Sequence, residues 1–439
     1  MSGLAFILLQ MGCPVSGSDL NESPITHRLA QNGAVVHRGH DARNLDPRVY
    51  LVVVSTAVAA DNPEVVEARK RDVPVIHRGE LLARLFNPRK GIGVSGAHGK
   101  TTTTSMIALA LERNGLDPTI LIGGELKELS GNAKLGRNEY IVSEADESDG
   151  SFLKLYPHCT VVTNIENDHL DYYQNFDNIE KAFKQFLANT RPEGFAVVCW
   201  DDATLRHLSG QVERRVVTYG LSPEADFWID RIELDGLSSS GRVNHRDKEL
   251  GVLELSVPGR HNLVNALAAV AVGHEIGIPF SGVAGALKPF RGVHRRFEIL
   301  GEVSGVTVVD DYAHHPTEIK ATLQAARHIV GKRIIAVFQP HRFTRTNFLF
   351  EEFGRAFGDA DRVIIDGIYS AGEKPIPGVT AELIVDAVRR QGQEVVYLPD
   401  RDKILELLTR EVRPDDLVIT LGAGNIWTVG EALVKALKA

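Results

Sequence analysis

The run Gly96-Ala97-His98-Gly99-Lys100-Thr101-Thr102, led in by Gly93-Val94-Ser95, specifies chemistry more directly than any other stretch of this sequence. A glycine-rich turn that opens a helix points backbone N–H groups at an anion, and the helix dipole adds to the attraction. A lysine at the end of such a turn reaches the terminal phosphates of a nucleotide, and the hydroxyl beside it ligates the accompanying Mg2+. Lys100 and Thr101 have those places here. The spacing is not that of a strict P-loop, because Val94 stands five residues before Gly99 where a glycine is usual; Gly93 and Gly96 supply the turning instead. An ordinary strand-to-helix turn is the plain alternative, and the acidic run beginning at Glu144 favours a nucleoside triphosphate site over it.

Glu144-Ala145-Asp146-Glu147-Ser148-Asp149 comes directly after the apolar residues 140–142. Carboxylates crowded at one strand end repel one another, and a divalent cation beside the glycine turn would relieve the repulsion. Glu144, nearest the strand, is the expected metal ligand, with a solvated acidic loop as the competing reading. A second strand, 160–163, runs into Asn164-Ile165-Glu166-Asn167-Asp168-His169, which sets His169 where it would converge with Glu144 and Thr101. Imidazole is a less usual ligand than carboxylate for a hard cation, so a structural histidine stays open.

Farther on, Asn262 and Asn265 lie three apart at the start of a helical pattern, so they share a face. Two carboxamides offer both donors and acceptors to the edge of an adenine; Asn262 as a helix N-cap is an equal alternative. His294-Arg295-Arg296-Phe297-Glu298 stands where a third section begins, and an arginine there could meet phosphates during transfer. Asp310-Asp311-Tyr312-Ala313-His314-His315 and Gln339-Pro340-His341-Arg342-Phe343-Thr344-Arg345 each follow an apolar strand. Two adjacent strand ends bearing histidines and arginines make an anion pocket suited to a carboxylate, against the alternative of a basic surface loop.

The elements that must position these groups alternate between short apolar runs and helical patterns, the signature of α/β architecture with largely parallel sheets. Three domains are expected: residues 1–88, 89–292 and 293–439. The first is Rossmann-like, with strands at 14–16 and 51–55 and a segment at 74–76. The second carries the glycine turn, a helix over 102–112 and a smaller β-rich part near 227–255. The third is doubly wound, with strands at 307–309, 334–338, 363–365, 395–398 and 417–421, and its site is expected at their carboxyl ends. The chain opens on a helix, with Gly3 placed like the last glycine of a dinucleotide turn and Asp19 like the acidic residue after the second strand. The first strand and its turn are missing, so the domain reads as N-terminally truncated; the reading frame is expected to extend upstream by about 10–25 residues.

Composition sets outer limits. With 439 residues, 43% hydrophobic and 24% charged, the chain can bury several cores. A net charge of −8 without basic runs argues against a nucleic-acid partner. Cys13, Cys159 and Cys199 are scattered and odd in number, which reads as reduced thiols in a cytoplasmic protein. No apolar run has the length of a membrane span, and the opening residues lack the basic start of a signal peptide.

Taken in order, Gly-Ala-His-Gly-Lys-Thr-Thr-Thr, Glu-Ala-Asp-Glu-Ser-Asp, Asn-Asp-His-Leu-Asp, His-Asn-Leu-Val-Asn, His-Arg-Arg-Phe-Glu, Asp-Asp-Tyr-Ala-His-His-Pro and Pro-His-Arg-Phe-Thr-Arg-Thr resemble the Mur ligase family over essentially the whole chain. The resemblance implies an ATP- and Mg2+-dependent amide ligase of peptidoglycan precursor synthesis, working through an acyl phosphate and a tetrahedral intermediate. Ser148-Asp149-Gly150 favours the alanine-adding branch, whose substrates are UDP-N-acetylmuramate and L-alanine, over the branch that attaches a recycled tripeptide. A monomer or homodimer without nucleic-acid or membrane partners is implied.

Residue by residue, Gly96, Ala97, His98, Gly99, Lys100, Thr101 and Thr102 match the phosphate loop, and Thr101, Glu144 and His169 the metal positions. Asn262 and Asn265 match adenine contacts, Arg296 a phosphate contact and Asp311 a ribose contact. Tyr312, His314, His341, Arg342 and Arg345 fall in the amino-acid pocket, and Lys100, His169, Arg296, His314 and Arg345 are the residues to which catalysis is assigned. Ser2, Gly3, Asp19, Ser55, Thr56, Gly123, Gly124 and Ser148 are expected at the uridine and muramyl substrate. Several relatives hold a second Mg2+ with a carbamylated lysine; Lys184 has about the right spacing and is left out of the site. Two other classes compete with the ligase: a nicotinamide-dependent oxidoreductase, which leaves Lys100, Glu144 and His169 unexplained, and a non-catalytic nucleotide-gated module, which would release no phosphate.

Overall fold

The computed structural model describes residues 1–129, 131–329 and 333–438. Its internal packing separates two units, one made of Met1–Trp228, Asn244–Lys248 and Asn265–Leu287, the other of Ile229–Val243, Glu249–Val264 and Lys288–Ala439. Each is α/β, as the alternation of apolar runs and helical patterns requires.

The first unit begins with the helix Ser2–Gln10 and two separate two-stranded parallel sheets, β1 (Ser16–Asp19) with β2 (Val35–Arg38) and β3 (Val52–Val54) with β4 (Val75–His77). The expected strand at 14–16 is displaced. The helix ends on Gly12 at φ +82°, and Pro14 has no N–H to give a ladder, so pairing starts at Ser16 opposite Val35. Strand β2 went unrecognised because Val35-Val36-His37-Arg38 is short and half polar. Gly3 lies inside the first helix, where an added Cβ would come 3.2 Å from Leu121 Cδ2 and 3.4 Å from Ala133 Cβ. The glycine therefore lets that helix pack closely on the strands carrying Leu121 and Ala133.

Those strands belong to the main sheet of this unit: β5 (Lys90–Ser95), β6 (Thr119–Leu126), β7 (Gly131–Lys134), β8 (Tyr140–Glu144), β9 (Cys159–Val162), β10 (Phe195–Cys199) and β11 (Arg215–Gly220), in spatial order β11-β10-β9-β5-β8-β6-β7. All pairs are parallel except β7 on β6. Beyond Lys90, strand β5 is apolar or small because both its faces are covered: Ile92 and Val94 are fully buried, and a Cβ on Gly91 would strike the Phe86 ring at 2.2 Å. The chain leaves β5, forms the helix Lys100–Arg113, skips a place to β6, returns to β8 and crosses to β9 on the other side of β5. The carboxyl ends of β5, β8 and β9 are thus neighbours at the point where strand order reverses, where ligands bind in sheets of this kind.

The β-rich segment is three strands, β12 (Phe227–Asp235), β13 (Ser238–His245) and β14 (Lys248–Leu255). The second unit then builds one sheet from β15 (Glu298–Val303), β16 (Val306–Asp311), β17 (Arg333–Phe338), β18 (Arg362–Ile365), β19 (Val395–Tyr397) and β20 (Asp416–Leu421), in order β15-β16-β20-β17-β18-β19. Five expected strands are present. The sixth, β15, is antiparallel to β16 with a register shift between Ile299 and Gly301, and its alternation of apolar and acidic residues hid it. Strand β20 fills the slot between β16 and β17, with fully buried Val308, Val337, Val418 and Ile419 on the two faces of the sheet. This places the carboxyl ends of β16, β20 and β17 side by side. No helix among the described residues is long and apolar enough to cross a membrane.

Candidate active site

At the end of β5 the chain turns through Gly96 (φ +134°) and Gly99 (φ +81°) before the helix begins at Lys100. Glycine is needed for space as well as for φ: a Cβ on Gly96 would lie 2.1 Å from Thr163 Oγ1, and one on Gly99 would lie 2.7 Å from Asn265 Oδ1. The turn is clamped to the end of β9. The His98 N–H donates to Asn164 Oδ1 at 2.8 Å, while Asn164 Nδ2 and the Thr163 hydroxyl both donate to the His98 carbonyl, at 3.0 and 2.5 Å. Asn164, unassigned from sequence, therefore gives the loop its shape. Thr101 is half-buried and Thr102 buried in the first helical turn.

The Lys100 ammonium donates to the carbonyls of Gly96 and Ala97, at 2.6 and 3.2 Å, and to Glu147 Oε1 at 2.7 Å. Burial works against its charge, but Glu147, with Asp146 and Glu144 beyond it, raises its pKa above the ordinary lysine value. Glu147 is only 3% exposed. The same Oε1 lies 3.6 Å from His169 Nε2, and the Glu147 carbonyl accepts the Tyr173 hydroxyl at 2.5 Å. His169 is held at φ +56° and also faces Asp168 Oδ2 at 3.6 Å.

From sequence, the acidic run is expected to repel itself until a cation arrives. In the folded chain each carboxylate has its own partner: Glu144 Oε1 accepts the Gly123 N–H at 2.6 Å, Asp146 pairs with Arg78, Glu147 pairs with Lys100, and Asp149 faces His77 at 3.6 Å. Ser148 is tied through its N–H to Asp146 Oδ1 at 3.1 Å. Lys100, Glu144 and His169 are brought together around Glu147, the carboxylate that sequence reasoning passed over; its placement three residues beyond Glu144 was the available signal.

The substrate residues expected in the first section are not gathered in one sheet. Asp19 ends β1, where its Oδ1 accepts the Asn21 N–H, whereas Ser55 and Thr56 follow β3 in a turn closed from Val58 to Ser55. Ser2 starts the first helix, and Gly124 follows Gly123 within β6. Lys184 is exposed and donates to Gln211 at 2.6 Å.

The helix Arg260–Glu275 carries both asparagines. Asn262 is not its cap: it lies in the first turn, and its Nδ2 donates to the Pro258 carbonyl at 2.7 Å. Asn265 Oδ1 is the atom against Gly99.

In the second unit, two guanidinium groups lie over the Tyr312 ring, Arg295 5.0 Å and Arg296 5.2 Å from its centre. Arg295 is fixed by Asp310 at 2.8 Å and by the Gly422 carbonyl at 2.6 Å. Arg296 reaches Glu318 at 3.3 Å. Asp311 is tied into the protein's own hydrogen bonds. Its oxygens accept the N–H groups of Phe297 and Ala313, at 2.9 and 2.8 Å, and the Thr322 hydroxyl at 3.2 Å. Burial pushes its carboxyl up to about 6 against the opposing pull of Arg296.

The ends of β16 and β17 do meet. The His314 ring packs edge-on against both Tyr312 and His341, at 5.4 and 5.7 Å, and its Nδ1 lies 3.0 Å from the Tyr312 carbonyl and 3.2 Å from Glu318 Oε2. Arg345 is buried with Nη1 3.2 Å from His341 Nδ1. Arg342, at φ +71°, turns toward Glu373 Oε1 at 4.0 Å. Tyr369 and Glu318 went unnoticed; long-range backbone pairing brings Tyr369 in, and no local motif marks it.

Three family models match in tandem: "Mur ligase family, catalytic domain" over residues 1–90, "Mur ligase middle domain" over 94–273, and "Mur ligase, glutamate ligase domain" over 295–424. The UDP-N-acetylmuramate–L-alanine ligase of Pelotomaculum thermopropionicum is 57% identical, with 100% of this chain and 95% of that protein covered. The protein of the same name from Desulforamulus reducens is 52% identical, with 100% and 96% covered. Among solved structures, the UDP-N-acetylmuramate-alanine ligase of Thermotoga maritima is similar at a TM-score of 0.84 and 30% identity, and a murein peptide ligase of Psychrobacter arcticus at 0.74 and 26%. Each covers 100% of this chain and 96% of its own.

Proposed function

This chain belongs to the Mur ligase family, and from that premise we propose that it joins L-alanine to the lactyl carboxylate of UDP-N-acetylmuramate at the expense of ATP. The observation that carries the reading is the glycine turn at the strand-order reversal, with Lys100 held charged above it and Glu144 at the end of the adjacent strand. Nucleotide phosphates fit this loop because the helix starts directly behind it, so the free N–H groups of its first turn and its dipole favour an anion. Thr101 and Glu144 would offer Mg2+ oxygen ligands, with His169 as a further ligand, and the bound ion would neutralise phosphate charge.

The chain's own groups then divide the work. Lys100 draws off charge from the phosphoryl group as the substrate carboxylate attacks it, ADP departs, and an acyl phosphate remains. Arg296, 5.2 Å from the Tyr312 ring centre, is the phosphate contact that the family resemblance assigns. Alanine enters the cluster of Tyr312, His314 and His341, with its carboxylate on Arg345. His314, with Nδ1 toward the Tyr312 carbonyl and Glu318, keeps Nε2 as its basic nitrogen and takes the ammonium proton. The free amine attacks the acyl carbonyl, and the tetrahedral intermediate expels phosphate. Asn262 and Asn265 receive the adenine.

The test is phosphate release with ATP, Mg2+, UDP-N-acetylmuramate and each amino acid in turn. L-Alanine is expected to turn over fastest, and release with no amino acid preferred over the others would overturn the assignment.

A further inference from the structure

Lys100 has two claims on it. Nucleotide phosphates require its ammonium, and Glu147 already holds that ammonium at 2.7 Å within a pocket that leaves the carboxylate only 3% exposed. Among the described residues Glu147 has no comparable second partner: Ser95 Oγ is at the outer limit of a hydrogen bond, 3.4 Å from Oε2, and His169 Nε2 stands 3.6 Å from Oε1. When phosphate takes Lys100 away, a buried carboxylate loses its one close cation and stands beside incoming negative charge. An uncompensated buried charge is among the costliest states a site can adopt. The neighbours cannot absorb it, because Asp146 is committed to Arg78 and Glu144 to the Gly123 N–H, and both are acidic themselves.

We infer that Glu147 is a positioning residue that makes nucleotide binding conditional on a divalent cation. In the resting loop it pairs with Lys100 and holds it against the Gly96 and Ala97 carbonyls. Phosphate displaces it, and a metal ion brought with the nucleotide supplies the replacement positive charge. Lys100 and the cation are thereby exchanged on one carboxylate, so the two binding events are coupled through Glu147 and the coupling is reciprocal. The inference rests on the nucleotide reading of the loop and goes beyond it, since a phosphate loop needs no such carboxylate to bind phosphate.

The experiment compares the intact protein with Glu147→Gln, which keeps the size and removes the charge. The affinity of each for a non-hydrolysable ATP analogue is measured by calorimetry in EDTA and again in excess Mg2+. Glu147→Gln is expected to bind the analogue about tenfold or more tightly than wild type in EDTA, with the two within about threefold in Mg2+. Equal or weaker binding by Glu147→Gln in EDTA overturns the inference while leaving the nucleotide reading intact. Failure of the wild type to bind the analogue in Mg2+ overturns both. A second variant covers the case in which Glu147→Gln does not fold: Lys100→Gln leaves the carboxylate without its ammonium, so Mn2+ should bind the nucleotide-free protein several-fold more tightly, and unchanged Mn2+ affinity overturns the inference.

Discussion

The His341 ring is stacked on that of Tyr369, with centroids 5.7 Å apart and planes 12° from parallel. The backbone makes this contact obligatory: the Tyr369 N–H donates to the Pro340 carbonyl and the Arg342 N–H to the Tyr369 carbonyl, both at 2.8 Å. An aromatic pair of this kind contributes about 0.5–1.5 kcal/mol beyond its area. Tyr369→Ala should therefore raise the KM for L-alanine roughly two- to tenfold and leave that for ATP unchanged, whereas Tyr369→Phe should stay within about twofold. Steady-state kinetics with each substrate varied in turn reads both, and an equal rise for ATP would move Tyr369 out of the amino-acid pocket.

Arg345→Ala removes a buried guanidinium that lies beside His341. Loss of one member of a buried charge pair costs about 2–5 kcal/mol, so the alanine KM should rise at least thirtyfold or so, with the ATP KM little changed. The pocket itself is lined by rings, and a pocket distinguishes one methylene by only about 1–3 kcal/mol. Glycine and serine should accordingly be slow, measurable substrates, and an unchanged alanine KM in Arg345→Ala would relocate the carboxylate.

Lys100→Ala leaves the loop backbone to its glycines and to the Asn164 clamp, so circular dichroism should differ little from wild type, while the urea midpoint should fall because the buried Glu147 loses its close cation. Turnover should fall on the order of 10²-fold or more through loss of charge stabilisation on the transferring phosphoryl group. Activity within a few-fold of wild type would take this loop out of the reaction.

Asp311 gives a pH signature opposite to that of a paired surface carboxylate. Its folded pKa, about 6, lies above the ordinary value of 3.8 because burial disfavours its ionised form. The stability this group contributes is thus complete below about pH 4 and is lost as pH rises through about 6. Asp311→Asn cannot ionise, so wild type minus variant stability should fall by up to about 3 kcal/mol between pH 4 and pH 7. Urea unfolding at four pH values measures it; a difference that is flat or rises with pH would show that the Arg296 charge outweighs burial.

Lys100, Thr101 and Glu144 were legible in the sequence because strand, turn and helix succeed one another directly and the order of the chain already fixes their places. The ends of β16 and β17 were readable for the same reason, since a doubly wound unit sends its strand ends to one rim. Glu147 was passed over because its importance is pairwise: three carboxylates share that run with it, and only the fold decides that Lys100 takes this one and Arg78 takes Asp146. The motif around Asp311 says nothing of the Phe297 and Ala313 N–H groups that its carboxylate accepts, because Phe297 comes from a distant segment of the chain. Strand β15 and the shifted β1 show the same limit, since their edges are set by a register shift and by the missing N–H of Pro14.

The Glu144 carboxylate is anchored by the Gly123 N–H, and an added Cβ at position 123 would stand 2.8 Å from Glu144 Oε2. The donor is one that every residue except proline possesses, yet the space is one that only glycine leaves open. A larger residue at 123 displaces the far end of the flexible Glu144 side chain, so what such a change disturbs is the aim of the carboxylate rather than the fold.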